Sequence, residues 1–198
     1  MLSSNAGYAA EADALAVQYE ETTFEAVHGR VLGLLPAAPA RVLDVGAGTG
    51  RDAAALVRRG YAVVAVEPTA ELRAHGRRIH AGVGIDWVDD SLPGLAAVPD
   101  AGPGFDAVLA TAVWMHLDAG ERVAAMERVA GLLRPAGLLF LTLRHGPVPA
   151  GRRMFDVGAE ETVELASGHG LVPVHRSERA DGHGRGGVSW SHVVLRRG

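Results

Sequence analysis

The chain has 198 residues and contains neither cysteine nor lysine. Without cysteine there can be no disulfide and no thiol nucleophile. Without lysine there is no P-loop of the G-K-[ST] kind, and no Tyr-x-x-x-Lys pair such as small nicotinamide-dependent reductases use. Chemistry through a covalent cysteine or lysine intermediate is excluded. A large excess of either charge is also missing. The formal net charge is −4, which argues against a nucleic-acid-binding surface as the main purpose. No apolar run is long enough to span a bilayer. Met1 to Ala16 shows neither a basic region nor a long apolar run, so no signal peptide is read there and a cytoplasmic protein is expected. The nine histidines show no metal-ligand spacing such as H-E-x-x-H, and no metal is expected.

What is present is apolar. Hydrophobic residues make up 48% of the chain, enough to build one sizeable core and too many for a disordered segment. Arginine carries all 19 of the lysine-type or arginine-type charges. Together with the abundance of Ala and Gly, this composition points to a GC-rich bacterial genome.

The chain is organised around Arg41 to Asp52. Val42 to Val45 reads as a buried parallel strand. Gly46, Gly48 and Gly50 follow at alternate positions, and Ala53 to Leu56 opens a helix-favouring run. Strand, glycine turn and helix form the nucleotide-binding corner of a doubly wound α/β fold. The dinucleotide fingerprint G-x-G-x-x-G fails, because its third glycine would fall at Arg51. The pattern is D-x-G-x-G-x-G, from Asp44 to Gly50.

Around this corner the spacing predicts alternating strands and helices. One or two helices are expected over residues 4–35, ended by Pro36 and Pro39. Helices are then predicted over 51–59, 69–79 with Thr69 as N-cap, 119–133 and 158–169. In the third of these, Val123, Met126, Val129, Ala130 and Leu133 share the buried face. Strands are predicted over 62–66, 85–88, 105–111, 138–143, 171–176 and 188–195. Pro135 and Gly137 separate the 119–133 helix from the next strand. Pro- and Gly-rich loops are expected over 93–104 and 182–187, and an exposed basic loop over 144–153.

From Leu43 to Leu195 this arrangement resembles the class I S-adenosylmethionine-dependent methyltransferases, whose first motif has the form seen at Asp44 to Gly50. Thr111 to Leu117, the Gly50-Arg51 turn and the Gly60-Tyr61 helix end are similar to the tellurite-resistance group of small-molecule methyltransferases. The resemblance implies an α/β, Rossmann-like, doubly wound sheet of seven strands. Its order would be 3-2-1-4-5-7-6, with strand 7 antiparallel and helices on both faces. It implies a single domain over 1–198, with residues 1–38 as a helical cap over the cofactor site.

The implied cofactor is S-adenosylmethionine, leaving as S-adenosylhomocysteine. Its candidate contacts are Tyr19, Asp44, Gly46, Ala47, Gly48, Thr49, Gly50, Asp52, Pro68, Thr111 and Ala112. Glu67, at the end of the second strand, would accept hydrogen bonds from the ribose hydroxyls. Either Asp89 or Asp90, with Asp90 favoured, would meet the adenine amino group, with Ser91 and Leu92 lining its pocket. A metal held by the two aspartates is the competing reading.

The candidate acceptor site gathers Tyr8, Trp114, His116, Arg144 and Arg152, with His116 as candidate base. Its arginines suggest a small, partly aromatic, anionic acceptor. The expected activity is methyl transfer to an O, N or S nucleophile by in-line displacement. The alternatives are a cofactor-binding module without turnover, or a nicotinamide-dependent reductase. The expected partner is a small molecule, with no nucleic acid and no membrane, and the chain a monomer or homodimer.

Overall fold

The structure is a computed structural model that describes residues 4–98, 102, 104–182 and 184–198. The Pro- and Gly-rich loop expected over 93–104 lies partly outside the described residues, at 99–101 and 103, as does position 183 of the second such loop. Positions 1–3 of the expected domain lie outside them too. A seven-stranded sheet forms the centre: β1 Arg41–Val45, β2 Ala62–Val66, β3 Asp86–Val88, β4 Phe105–Thr111, β5 Leu133–His145, β6 Leu171–Ala180 and β7 Ser189–Arg197. The strand order is β3-β2-β1-β4-β5-β7-β6. The first five strands run parallel, and β7 is antiparallel to both β5 and β6. This is the expected Rossmann-like order. The helices are α1 Ala12–Glu20, α2 Phe24–His28, α3 Arg51–Arg58, α4 Ala70–Ile79, α5 Ala119–Leu132 and α6 Ala159–Ser167.

Side chains alternate across a strand, and the core divides accordingly. Val42 and Val63 pack with Ala53 and Leu56 of α3 and Phe24 of α2 on one face. Leu43 and Val45 pack with Ala125, Met126 and Val129 of α5 and Ala166 of α6 on the other. Both faces of the central strands are thus covered, which is why β1 reads as a continuous apolar run. Among the described residues no helix is long and apolar enough to cross a membrane.

The local signals explain most boundaries. Asp118 caps α5 by accepting from the Glu121 N–H at 2.9 Å, while the Glu121 carboxylate accepts from the Asp118 N–H at 2.8 Å. This reciprocal box fixes the start of the helix. Thr69 does stand at the N-cap of α4, but its hydroxyl makes no capping bond and is buried without a partner among the described residues. The Thr69 N–H instead donates to Glu67 at 2.8 Å.

Two expectations are corrected. Val123 is 48% exposed rather than on the buried face of α5. Arg122 takes that face, donating to the Leu117 carbonyl and pairing with Glu161, both at 2.7 Å. β5 begins at Leu133, not at Leu138. Pro135 and Gly137 lie within its span because a register shift between Phe105 and Ala107 of β4 absorbs residues 134–137, with Ala136 at positive φ.

Candidate functional site

The carboxyl ends of the parallel strands open into a cavity of about 950 Å³, at the upper end of the range that holds drug-sized ligands. Three groups of elements wall it. The glycine turn and the ends of β1 and β2 make the inner end. The segment leading into α1 makes one side. The exit of β4, the loop after β5 and the β6–β7 end make the outer mouth. Of the predicted residues, Tyr8, Tyr19, Asp44, Gly46, Ala47, Gly48, Thr49, Asp52, Glu67, Pro68, Ser91, Leu92, Thr111, Ala112, His116, Arg144 and Arg152 line this cavity.

The inner end is acidic. The glycine turn follows β1 with Gly46, Gly48 and Gly50 all at positive φ, a conformation that side chains with a Cβ rarely adopt. Space matters as well: a Cβ on Gly46 would lie 2.4 Å from Val113. Glu67, at the end of β2, is buried, and each of its oxygens accepts a backbone N–H at 2.8 Å, from Gly48 and from Thr69. It therefore ties the glycine turn to the start of α4 as well as facing the cavity. Burial pushes its carboxyl above the usual range, and the hydrogen bonds from Thr69 and Gly48 pull it back only in part.

Asp44 and Asp52 are buried side by side. Burial would raise the Asp52 carboxyl, but His28 and Arg51 outweigh it and hold it below the usual range. His28 Nε2 lies 2.7 Å from Asp52 Oδ2, Arg51 Nε donates at 2.7 Å, and the Thr111 hydroxyl donates at 3.3 Å. Asp44 goes the other way. Burial and the neighbouring Asp52 charge push its carboxyl well up, and its Oδ2 has no hydrogen-bond partner among the described residues. The sequence reading missed His28, for which no motif gave a signal.

The N-terminal segment is fastened to this end. Glu20 accepts from the Thr49 hydroxyl at 2.6 Å, and Arg51 donates to the Tyr19 carbonyl at 3.3 Å. The ring of Tyr19 lies 3.2 Å from where a Cβ on Gly48 would stand.

Four predicted residues do not line the cavity. Gly50 begins α3 and packs against Trp87, whose ring lies 2.7 Å from where a Cβ would stand. Asp89 points outward in a two-pronged pair with Arg73 at 2.9 and 2.6 Å. Asp90 closes its own loop, accepting from the Ser91 N–H at 2.8 Å and the Ala97 N–H at 2.6 Å. Neither aspartate stands beside Ser91 and Leu92 on the cavity wall. Among the described residues no group of three or more His, Asp or Glu is arranged to hold a metal ion. Trp114 is fully buried in the core, and its indole N–H has no hydrogen-bond partner among the described residues. The short turn 114–116 directs it inward and turns Met115 and His116 to the cavity.

The outer mouth is basic. His116 Nδ1 lies 2.6 Å from the Arg153 carbonyl. A carbonyl only accepts, so Nδ1 carries the proton and Nε2 is left as an acceptor. Nε2 lies 3.0 Å from the Tyr8 hydroxyl, which therefore donates to it. Burial, with Arg152, Arg153 and Arg144 nearby, lowers His116 below its ordinary value. Burial likewise raises Tyr8.

Arg152 stacks over Tyr8 at 4.0 Å from the ring centre and pairs with Glu11 at 2.7 Å. Arg144 donates to the Pro147 carbonyl at 2.8 Å. The basic loop is otherwise turned away: Arg153 pairs with Asp118 and Glu121, and His145 bonds the Ser191 hydroxyl. Arg179, Asp181, Arg185 and Trp190, from the ends of β6 and β7, complete the mouth and were not foreseen.

Comparison with known proteins fits this geometry. Residues 42–137 match the family model described as a methyltransferase domain. An uncharacterized methyltransferase of Mycobacterium tuberculosis is 38% identical over 97 residues, covering 46% of this chain and 35% of the relative. The match thus spans about a third of that relative's length. Two solved structures share the fold. The 1,6-didemethyltoxoflavin-N1-methyltransferase of Burkholderia thailandensis superposes with a TM-score of 0.68 at 22% identity, covering 94% of this chain and 88% of that one. A TehB-like methyltransferase of Corynebacterium glutamicum superposes with a TM-score of 0.69 at 19% identity, covering 96% and 99%.

Proposed function

Because the chain belongs to the class I S-adenosylmethionine-dependent methyltransferases, we propose that it binds S-adenosylmethionine at the acidic end of the cavity and methylates a small-molecule acceptor at the mouth. The observation that carries this reading is the convergence of Asp44, Asp52 and Glu67 on the glycine turn. The donor set suits the cofactor. Asp44 has a buried oxygen without a partner, which an ammonium or hydroxyl would satisfy. Each Glu67 oxygen keeps acceptor capacity beyond its one backbone bond. Leu72 and Leu92 offer apolar contact to a base.

The cofactor supplies a methyl group already activated on a sulfonium, so no covalent bond to the protein is needed. The residues of the chain orient the acceptor and keep water away. The segment carrying Tyr8 and Tyr19 acts as a cap over both ligands. His116 takes the proton lost by an O–H or N–H acceptor, directly or through Tyr8, whose hydroxyl already donates to it. We further place the protein in the bacterial cytoplasm, acting on small molecules as a monomer or homodimer.

The test is incubation with labelled S-adenosylmethionine and a panel of phenols, amines and carboxylates. Acceptor-dependent formation of S-adenosylhomocysteine is expected. No product with any acceptor, despite tight cofactor binding, would leave a binding module without turnover. His116→Gln should slow turnover by about a hundredfold. In the parent protein kcat/KM should stay level as the pH falls to 6.5, the ordinary histidine value, and decline only below it, since burial depresses this imidazole. A decline already centred above 6.5 would count against His116 as the base.

A further inference from the structure

Arg144, Trp190 and Arg179 stand in one row across three neighbouring strands. Trp190 of β7 lies opposite Arg144 of β5 on one side and Arg179 of β6 on the other. Residues paired in this way project from the same face of a sheet, and all three line the cavity. The guanidinium carbon of Arg179 lies 5.1 Å from the centre of the Trp190 ring.

The charges in this row do not balance. Asp181 is the acid beside it, and it receives the Trp190 indole N–H at 2.9 Å. Arg185 closes on that same carboxylate through its backbone N–H and Nε at 3.0 Å and Nη2 at 2.7 Å. Arg185 is thus hydrogen-bonded to the Asp181 carboxylate, whose charge Arg144 and Arg179 feel through space. Arg144 bonds the Pro147 carbonyl, and Arg179 makes long contacts of 3.4 Å to the Ala180 carbonyl and to His192. Among the described residues neither guanidinium is hydrogen-bonded to a carboxylate, whereas Arg152 and Arg153 both are.

We propose that the methyl acceptor is a small aromatic carboxylate. Its carboxylate is bound by Arg144 and Arg179 beside Trp190, and its O–H or N–H is turned toward Tyr8 and His116. This inference rests on the methyl-transfer reading for its orientation, but the anion site stands on its own geometry. A guanidinium fork matches a carboxylate with two parallel hydrogen bonds, and an indole gives a planar ligand an apolar surface. Arg144 lines the same cavity as Tyr8 and His116, which are hydrogen-bonded to each other, so one small molecule can reach both ends. Burial lowers both guanidiniums, Arg185 adds to the effect and the Asp181 charge opposes it only in part; a bound anion would oppose it further.

Calorimetric titration with benzoate, benzamide and inorganic phosphate tests this, with S-adenosylhomocysteine titrated separately. Benzoate should bind at least about tenfold more tightly than benzamide, and Arg144→Gln and Arg179→Gln should each weaken benzoate by about tenfold while sparing benzamide. Unchanged affinity of both variants for S-adenosylhomocysteine shows that they fold. Equal binding of benzoate and benzamide, binding of neither, or parental benzoate affinity in both variants would overturn the carboxylate site. Phosphate binding more tightly than benzoate would overturn the carboxylate in favour of a phosphorylated acceptor. Failure of the methyl-transfer reading appears separately, as no binding of S-adenosylhomocysteine to a protein that still binds benzoate.

Discussion

The two ends of the cavity are chemical opposites. The inner end gathers Asp44, Asp52 and Glu67, and the mouth gathers Arg144, Arg152, Arg179 and Arg185. The inner end is also rigidly built. Glu67 is held by two backbone N–H groups, Asp52 by His28, Arg51 and Thr111, and the turn between them by glycines at positive φ. The mouth is assembled from side chains at the ends of strands and loops, where Arg144 bonds a carbonyl and Arg179 makes only long contacts to a carbonyl and to His192. A cavity of this form suits a cationic donor bound in a fixed place and an anionic acceptor bound by adaptable groups. Opposite charges at the two ends also keep each ligand from the other's place.

The largest expected effect breaks the inner end. Glu67→Ala removes the acceptor of the Gly48 and Thr69 N–H groups together with the carboxylate that faces the cavity. Leaving a buried donor unpaired costs about 1–3 kcal/mol. The variant should lose stability as well as at least about tenfold in affinity for S-adenosylhomocysteine. The carboxylate is therefore more than a ligand contact, contrary to what its position at a strand end suggests. Thermal unfolding and calorimetry of the same variant check both losses. Parental values in both would remove Glu67 from the account.

A smaller effect sharpens the contrast at the mouth. Burial, with Arg179 beside it, lowers His192 from 6.5 to about 4. The unfolded chain then takes up a proton near 6.5 that the folded chain refuses until about 4. This contribution to stability is complete above pH 6.5 and is lost as the pH falls toward 4. Thermal unfolding between those values should show it, and His192→Leu should flatten the curve there. Arg179→Gln should move the His192 titration part of the way back toward 6.5, as read by proton NMR. An unmoved titration would mean that burial alone sets it and that the mouth exerts little positive field.

The inner end was legible in the sequence because its parts are contiguous or stand at strand ends. Asp44 to Thr49 follows one strand, and Glu67 terminates the next, so the alternation of strand and helix brings them together without further information. The sheet order was an expectation of the resemblance carried by the Asp44 to Gly50 motif, and the structure has that order. The mouth was less legible. An antiparallel β7 was expected from the resemblance, but the register that sets Trp190 opposite both Arg144 and Arg179 is not encoded in spacing along the chain.

Trp114 was misplaced for a more local reason. In a turn of three residues, a shift of one position exchanges cavity for core, and the turn directs Met115 and His116 to the cavity instead. Asp89 and Asp90 follow the third strand as expected, but Arg73 and the loop backbone claim their carboxylates. Such short-range partners compete with a ligand and leave no mark in motif spacing. His28 belongs to the same class, since only the fold places it against Asp52.

The central claim is that the cofactor occupies the acidic end and leaves the basic mouth free. The most direct measurement is a heteronuclear NMR titration of the labelled protein with S-adenosylhomocysteine, following the backbone amides. The account predicts the largest shifts at Gly46 to Thr49, Glu67 to Thr69 and Leu92, with small shifts at Arg144, Arg179 and Trp190. Shifts confined to the mouth, or no shifts with S-adenosylhomocysteine and clear ones with NADH, would contradict it.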